Sequence, residues 1–92
     1  MEFEWDEDKR QSNIAKHGID FEDAADLFDG RSAVTTTTTY ELEDRQQTIG
    51  QLYGRFIIVV WTTRGNAIRV ISARRAQRKE VDRFLKSNFD DP

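Results

Sequence analysis

The first eighteen residues have hydrophobic patterns that predict a strand and then a helix. Residues 2–5, EFEW, alternate polar and apolar side chains with the two-residue period of a strand. Residues 6–18, DEDKRQSNIAKHG, predict a helix with Asp6 as its N-cap and Gly18 directly after its last turn. Because this segment contains few apolar residues, we expect the helix to lie on the surface.

A second helix is predicted directly after the first, and it has a clear apolar side. Asp20 is suited to cap it, and Asp23 stands three residues later, as in a capping box. Apolar residues recur at the spacing i, i+3, i+4 and i+7, and they are Phe21, Ala24, Ala25 and Phe28. Since Gly30 ends this helix, the pattern predicts a helical hairpin with a buried stripe on its second helix.

From residue 33 onward the pattern becomes typical of strands. β-Branched and alternating residues predict strands at 33–40, 45–52, 55–63 and 67–73. The third of these, RFIIVVWTT, is apolar nearly throughout, which predicts a central strand covered on both faces. The tripeptide RGN at 64–66 predicts a hairpin turn between the last two strands.

The final segment, 74–89, predicts a helix, and its inward side is marked by Val81, Phe84, Leu85 and Asn88 with Phe89. The element order is then β-α-α-β-β-β-β-α, an α+β fold in a single domain of residues 1–92. Short connections between the strands favour antiparallel pairing. We expect the helices to pack on one face of the sheet, with the stripe of the second helix against the central strand, and the other face to stay open to solvent or a ligand.

Charge is distributed unevenly along the chain. The net charge is −3, but residues 1–46 contain 5 lysines and arginines against 13 acids, whereas residues 47–92 contain 9 against 4. A basic half indicates an anionic partner such as a nucleic acid. The alternative is that the two halves neutralise each other across the fold, and charge alone leaves both interpretations open.

The composition disfavours several classes of protein. No apolar run approaches the ~20 residues of a membrane-spanning helix, and the acidic start MEFEWDEDKR is unlike a signal peptide. The chain has no cysteine, which excludes disulfides and thiolate metal sites and fits a reducing cytoplasm. With one histidine in addition, a transition-metal site is disfavoured. We therefore expect a cytoplasmic protein without a metal, a cofactor or membrane contact.

The basic half concentrates arginine around the last two strands and the final helix. Its cationic residues are Arg55, Arg64, Arg69, Arg74, Arg75, Arg78, Lys79, Arg83 and Lys86. Arg69 projects from the open face of the sheet if Ile68 and Val70 face the helices. Such arginines suit phosphate, because guanidinium is permanently charged and can bind through two hydrogen bonds. The alternative is a solvated helix whose charges pair at i,i+4 through Asp82.

His17 is the only histidine, and it stands just before the glycine that ends the first helix. Histidine is the side chain that most readily exchanges a proton near neutral pH. A protonated histidine at this position also stabilises a helix through the helix dipole. The pattern therefore leaves a catalytic and a structural interpretation open.

Three longer segments contain motifs that occur together in one protein family. The segments are FEWDEDKRQSNIAKHGIDFEDA, EDRQQTIG and FIIVVWTTRGNAIRVISARRAQRKE, and they cover nearly the whole chain. Their motifs are Trp5-Asp6 with Lys9 and Asn13, Lys16-His17-Gly18 before Phe21, Glu43-Asp44-Arg45 before Gly50, and Ile71-Ser72-Ala73-Arg74 before Glu80. Taken jointly, these motifs resemble the BrnT family of bacterial toxins.

The resemblance implies a ribonuclease of a type II toxin–antitoxin pair, with a fold like that of RelE toxins, that cleaves RNA and inhibits translation and growth. It also implies a cognate BrnA-like antitoxin that binds DNA and neutralises the toxin, so that operator DNA is reached only indirectly through the antitoxin. Metal-independent cleavage needs a base for the ribose 2′-OH, cations for the charge developing at phosphorus and an acid for the leaving 5′-oxygen. The 2′-OH makes such a reaction specific for RNA.

On this resemblance, the basic cluster and the end of the first helix form the active site. The expected catalytic residues are Arg64, Arg74, Arg78, His17 and Lys16. The expected residues for binding RNA phosphates are Arg45, Arg55, Arg69, Arg75 and Lys79. The arginines stabilise the transition state, the lysine and histidine of the first helix transfer protons, and no residue is expected to hold a metal.

Two positions depart from the family pattern. The family usually has threonine where this chain has Gln77, and tyrosine where this chain has Phe84. Any hydroxyl chemistry at position 84 is therefore lost. The alternative function is a non-catalytic protein-interaction module, a degenerate toxin that retains only antitoxin binding.

Overall fold

The helices and strands follow the order that the sequence pattern predicts. The structure, a computed structural model, describes residues 2–89 except for the side chains of Tyr40, Asn88 and Phe89. Its elements are β1 (Glu2–Glu4), α1 (Glu7–His17), α2 (Phe21–Ala24) continued by a 3₁₀ segment (Ala25–Phe28), β2 (Ala33–Tyr40), β3 (Glu43–Leu52), β4 (Arg55–Arg64), β5 (Ala67–Arg75) and α3 (Arg78–Phe89). The α+β class is therefore confirmed.

The ends of α1 are set by the residues that the sequence indicates. The Asp6 carboxylate accepts hydrogen bonds from two backbone N–H groups of the first turn. Gly18 ends the helix at φ 71°, a left-handed conformation in which a Cβ atom would be strained. Arg10 then joins α1 to the start of α2, because its guanidinium donates hydrogen bonds of 2.8 and 2.9 Å to the Asp20 carboxylate.

The five strands form one sheet in the order β1-β5-β4-β3-β2, so β4 is central, as predicted. Strands β2 to β5 pair as successive antiparallel neighbours, whereas β1 pairs with β5 in parallel. The sheet is therefore mixed. A parallel neighbour needs a long connection, and the elements from α1 to β4 separate β1 from β5 along the chain.

One face of the sheet, called here the covered face, packs against α1, α2 and the 3₁₀ segment. The side chains that meet there include Phe21, Leu27, Ile57, Val59 and Val70, each at most 2% exposed. Removal of this apolar surface from water is the main favourable term in folding. The predicted packing of the second helix against the central strand is confirmed.

The buried stripe of the second helix differs from the prediction at two positions. Ala25 and Phe28 are only half-buried, whereas Leu27 is 2% exposed. The reason is that the helix tightens into the 3₁₀ segment, whose three-residue turn places Phe21, Ala24 and Leu27 in one line. Phe28 lies instead at the edge of the core, where its ring contacts two other aromatic rings at centroid distances of 5.5 and 5.3 Å.

α3 packs on the opposite face of the sheet, called here the α3 face, so the prediction that all helices share one face is wrong. Phe84 of α3 is 5% exposed and clusters with Ile49 and Ile58. Alternation along β4 explains this arrangement, because Ile57 and Val59 point to the covered face while Ile58 points the other way. A strand with apolar residues on both sides needs cover on both sides.

α3 begins at Arg78, later than the predicted residue 74, because Arg74 and Arg75 still belong to β5. The helix start is stabilised by Glu80, whose carboxylate accepts a hydrogen bond of 2.7 Å from the backbone N–H of Gln77. This is one half of a capping box, since the hydroxyl that would complete it is absent at position 77. The strand-to-helix junction is thus fixed by a carboxylate.

The inward side of α3 is narrower than predicted. Phe84 is buried and Val81 is half-buried, but Leu85 is 39% exposed. A single helix meets a sheet along a narrow stripe, and a residue about 100° further round the helix lies outside it. The predicted contributions of Asn88 and Phe89 fall outside the described side chains.

Candidate functional site

Arginines of two strands project from the α3 face beside α3. The helix packs mainly on β2 and β3, and the polar residues further along the same face stay half-buried. Among them are Arg45, Arg69 and Arg74, whose side chains are 27%, 26% and 34% exposed. Together with Arg83 of α3 they form a basic surface, which we call the arginine trough.

A β-bulge in β5 places Arg69 and Arg74 on the same face. Two residues five positions apart point to opposite faces of a regular strand. In β5, however, neighbouring residues of β4 pair with Val70 and Ser72, which leaves Ile71 as an extra residue between them. The bulge reverses the alternation and brings both guanidinium groups to the α3 face, with their Cα atoms about 13 Å apart along the strand.

Arg74 is held by the carboxylate at the start of α3. Its Nη1 and Nη2 atoms donate hydrogen bonds of 2.9 and 2.8 Å to the two oxygens of Glu80, and Nη1 also donates to the carbonyl of Arg75. Guanidinium has five N–H groups, so two of them are without a partner among residues 2–89. The hydrogen bonds from Arg74 lower the pKa of Glu80, and the hydrogen bond from the Gln77 N–H and the charges of Arg74 and Arg83 lower it further.

The other strand arginines of the trough make looser ion pairs. The Nη1 atom of Arg69 lies 3.9 Å from a carboxylate oxygen of Glu4. The Nε atom of Arg45 lies 3.5 Å from a carboxylate oxygen of Glu43. Both separations exceed those of a charge-assisted hydrogen bond. Since a loose pair of this kind contributes only about 0–1 kcal/mol, a phosphate can replace the Glu4 carboxylate at Arg69 at small cost.

The remaining predicted arginines and Lys79 lie outside the trough and are exposed. Arg64 is at the end of β4 and alternates onto the α3 face. Arg55 and Arg75 lie on the side of the covered face, beyond its core. Arg78 and Lys79 are in the first turn of α3. Within residues 2–89, none of these five side chains makes an ion pair.

Lys16 and His17 lie exposed in the last turn of α1. The helix that carries them is tied to β5 by Asn13, which is 6% exposed. The amide nitrogen of Asn13 donates hydrogen bonds of 2.9 Å to the carbonyls of Ile19 and Ala73, and its oxygen accepts one of 3.2 Å from the Ala73 N–H. β1 pairs with β5 only as far as Arg69, and the Asn13 side chain supplies hydrogen bonds to the β5 backbone at Ala73, directly before Arg74.

A groove between α3 and the β2–β3 pair adjoins the trough. Its volume is about 100 Å³, and it is lined by Val34, Thr36, Gln47, Ile49, Ile58, Glu80, Arg83, Phe84 and Ser87. Thr36, Gln47 and Ser87 are not among the candidate site residues that the sequence indicates. Strand alternation predicts that Thr36 shares a face with Val34 and Gln47 with Ile49, and the sequence gives no other signal for these two residues. Only the packing of α3 across the strands brings them next to Ser87.

The described part of the chain contains neither a metal-ligand cluster nor a membrane helix. No group of three or more histidines and carboxylates within residues 2–89 is placed to hold a metal ion. No helix in the same range is long and apolar enough to cross a membrane.

Most of the chain is similar to one family of toxins. The family model described as ribonuclease toxin, BrnT, of type II toxin-antitoxin system matches residues 5–80. The matched span contains α1, strands β2 to β5 and the Arg74–Glu80 pair. No curated protein sequence matches the chain. Since the family match extends over far more than half of the residues, the chain belongs to the BrnT family of ribonuclease toxins of type II toxin–antitoxin systems.

Proposed function

We propose that the chain is an endoribonuclease toxin that cleaves RNA without a divalent metal and thereby inhibits translation and growth. The observation that carries this proposal is the arginine trough, in which the bulge of β5 turns Arg69 and Arg74 to the same face. Cleavage of a phosphodiester builds negative charge on the phosphoryl oxygens, and preorganised cations stabilise that charge. These arginines lie on strands, which hold side chains more precisely than loops do.

Arg74 is the proposed transition-state binder. Its Nη1 and Nη2 atoms are occupied by Glu80, which orients the guanidinium and leaves its Nε–H and one Nη2–H for the scissile phosphate. Arg69 binds a flanking phosphate by exchanging its loose carboxylate partner, and Arg45 contributes its positive charge on the same face. The ribose 2′-oxygen attacks phosphorus and the 5′-oxygen leaves, which gives a 2′,3′-cyclic phosphate and a 5′-hydroxyl end without a further reactant.

Proton transfer is assigned to Lys16 and His17 in this proposal. One of them removes the proton of the 2′-OH, and the other protonates the leaving 5′-oxygen. Asn13 ties α1 to β5 directly before Arg74. Since α1 packs on the covered face and the trough lies on the α3 face, this assignment requires the RNA to pass the edge of β5 where Asn13 binds. Among the exposed cations outside the trough, Arg64 and Arg78 are proposed for catalysis and Lys79 for a more distant phosphate. Arg55 and Arg75 project to the other side of the sheet and are proposed to bind RNA only where it extends past the α3 face.

The proposed partner is a BrnA-like antitoxin, and contact with operator DNA is proposed to run only through it. The type II character of the family supports a protein antitoxin. A toxin that acts on translated RNA works in the cytoplasm, which is the compartment that we propose.

The test is an RNA cleavage assay on purified protein freed of any antitoxin, with and without a chelator of divalent metals. We expect cleavage in both samples, with 2′,3′-cyclic phosphate ends on the products. Activity that disappears with the chelator and returns with one added metal would refute metal independence. His17→Ala and Lys16→Ala are each expected to slow the reaction.

A second candidate function, antitoxin binding without catalysis, is favoured by one observation. Phe84 lines the groove where the family usually has tyrosine, and it is buried against Phe56 at a ring centroid distance of 5.4 Å. It therefore offers no hydroxyl to a substrate. Folded protein that binds the antitoxin but cleaves no RNA would establish this alternative, and Phe84→Tyr would then be expected to restore cleavage.

A further inference from the structure

Thr36 is the exception in the threonine-rich strand β2, whose other four threonines bond β3 through their side chains. Thr38, on the α3 face, donates to the Arg45 carbonyl at 3.5 Å. On the side of the covered face, Thr35, Thr37 and Thr39 make side-chain hydrogen bonds to β3 at 2.7, 2.7 and 3.1 Å. On the α3 face, Thr36 stands opposite Gln47. Within residues 2–89, neither of these two side chains has a hydrogen-bond partner, although both line the groove. Their hydroxyl and amide groups are therefore available to a ligand.

The groove offers these polar groups beside an apolar surface. Ile49, Ile58 and Phe84 form its most buried part, at 9%, 4% and 5% exposed, and Thr36 and Gln47 stand next to them. A ligand that matches this arrangement has a flat apolar body and an edge of hydrogen-bond donors and acceptors. An unpaired nucleobase has both, and proteins recognise single-stranded RNA through stacking on apolar side chains and hydrogen bonds to base edges.

Charge favours a nucleotide over an apolar peptide as the occupant. Arg83 lines the groove and also belongs to the arginine trough, and Glu80 connects the groove to Arg74. A nucleotide whose phosphate lies in the trough can therefore place its base in the adjoining groove. Arg83 makes no ion pair within residues 2–89, so a nucleotide phosphate can pair with it, whereas an apolar peptide cannot.

We propose that the groove binds one unpaired base of the RNA substrate, and that Thr36 and Gln47 determine which base is preferred. The proposal rests on the proposed ribonuclease function and adds its specificity. The glutamine amide presents one donor and one acceptor side by side, so it pairs with a base edge of the complementary pattern. A carboxylate at the same position presents two acceptors and suits guanine, whose N1–H and N2–H groups are adjacent donors.

The test compares cut sites in an RNA pool of randomised sequence for the wild-type protein and three variants. We expect the wild type to prefer one base at one position beside the cut. Gln47→Ala should reduce that preference about tenfold, and Gln47→Glu should shift it towards guanine. The matched control is Gln46→Ala, because Gln46 is the adjacent residue, is similarly half-buried and points to the other face, where it bonds Thr37. Its cut-site profile should equal that of the wild type.

A binding measurement separates failure of this proposal from failure of the proposed function. The probes are four uncleavable 2′-O-methyl hexanucleotides, each with a single kind of base, titrated against the same folded proteins. Wild-type affinities that differ about tenfold between the best and worst probe, with the difference lost in Gln47→Ala, support the groove assignment even without cleavage. Equal affinities for all four probes, or an unchanged cut-site profile in Gln47→Ala, would overturn it while leaving ribonuclease activity intact. A Gln47→Ala variant that weakens only antitoxin binding would overturn it in favour of a protein occupant.

Discussion

The two faces of the sheet are built from the same strands, yet their composition and exposure differ. The covered face is closed by α1, α2 and the 3₁₀ segment, and its core side chains are apolar. The α3 face has a small apolar cluster around Phe84 and, beside it, half-buried arginines that make ion pairs. Thr36 and Gln47 on the same face have no side-chain hydrogen bond within residues 2–89. One face therefore provides packing, while the other holds charges where partial shielding from water strengthens their effect on a ligand.

The strongest test of this division replaces a residue at the centre of the covered face. Phe21 is fully buried, so Phe21→Ala should lower the free energy of unfolding by about 3–5 kcal/mol in a urea titration. Phe28→Ala should lower it less, because Phe28 is only half-buried. A loss below about 1 kcal/mol for Phe21→Ala would show that the covered face is not the main source of stability. If that variant does not fold, Phe21→Leu provides a milder measurement of the same site.

On the α3 face, Arg74→Ala should damage activity and leave stability almost unchanged. Loss of one preorganised contact to the transition state costs about 100-fold in rate, whereas a half-exposed ion pair contributes about 0–1 kcal/mol to folding. RNA cleavage by the free protein, growth inhibition in cells and the thermal midpoint measure the two effects. Arg64→Ala is expected to behave in the same way, with a smaller loss of activity because Arg64 is more exposed.

The chain offers a matched control for the Arg74 variant. Arg31 also donates two hydrogen bonds to one carboxylate, that of Asp29, at 3.0 and 2.7 Å, and its side chain is 36% exposed. It lies outside the trough and the groove. Arg31→Ala should therefore retain activity, and equal activities of the Arg74 and Arg31 variants would contradict a catalytic role for the trough.

Asn13 is a polar exception among the buried residues, and its removal should have a moderate effect. Asn13→Ala deletes three hydrogen bonds and leaves the N–H and C=O of Ala73 unpaired, which should cost about 1–3 kcal/mol. Faster hydrogen exchange of the Ala73 amide would locate the loss in β5. Ser12→Ala, an exposed neighbour, should change stability by less than about 0.5 kcal/mol. Similar losses for both variants would mean that Asn13 does not tie α1 to the sheet.

The smallest effect concerns the acid end of the pH range. Hydrogen bonds from Arg74 lower the pKa of Glu80 in the folded chain, so this carboxylate stabilises the fold above its unfolded pKa. That stabilisation is lost as the pH falls through the lowered folded value. Glu80→Gln should therefore be less stable than the wild type at pH 7 by at most about 1 kcal/mol, reduced by solvent screening, and the difference should vanish near pH 2. A difference independent of pH would exclude the ion pair as its cause.

The features that could be predicted from the sequence depend on local pattern. Asp6 and Gly18 define the ends of α1 through capping, and the continuous apolar run of residues 55–63 indicates a central strand. Alternation also places Arg69 opposite Ile68 and Val70. The sequence motifs were sufficient to identify the family, because they are spread over most of the chain.

The features that could not be predicted depend on contacts between distant segments. The side of the sheet that α3 covers follows from the apolar residues of both faces of β4, and local periodicity does not indicate which helix covers which face. The burial of Leu27 in place of the expected Phe28 results from the 3₁₀ turn, which the apolar spacing does not indicate. The common position of Thr36, Gln47 and Arg83 arises only when β2 pairs with β3 and α3 packs across them.

The extra residue in β5 makes the facing of its side chains depend on the exact number of residues between its two ends. The part of β5 before Ile71 is fixed by its pairing with β1, and the part after Ile71 is fixed by Asn13 and by the ion pair to α3. Neither part can therefore turn its side chains to the other face without losing these contacts. A substitution at position 71 preserves the count of residues between the two arginines. Deletion of one residue there would reverse the faces of all side chains on one side of the deletion. Either an arginine would then point into the core of the covered face, or an apolar side chain would point into water. In the descent of this family, the length of this segment should therefore be under stricter selection than most of the side chains in it.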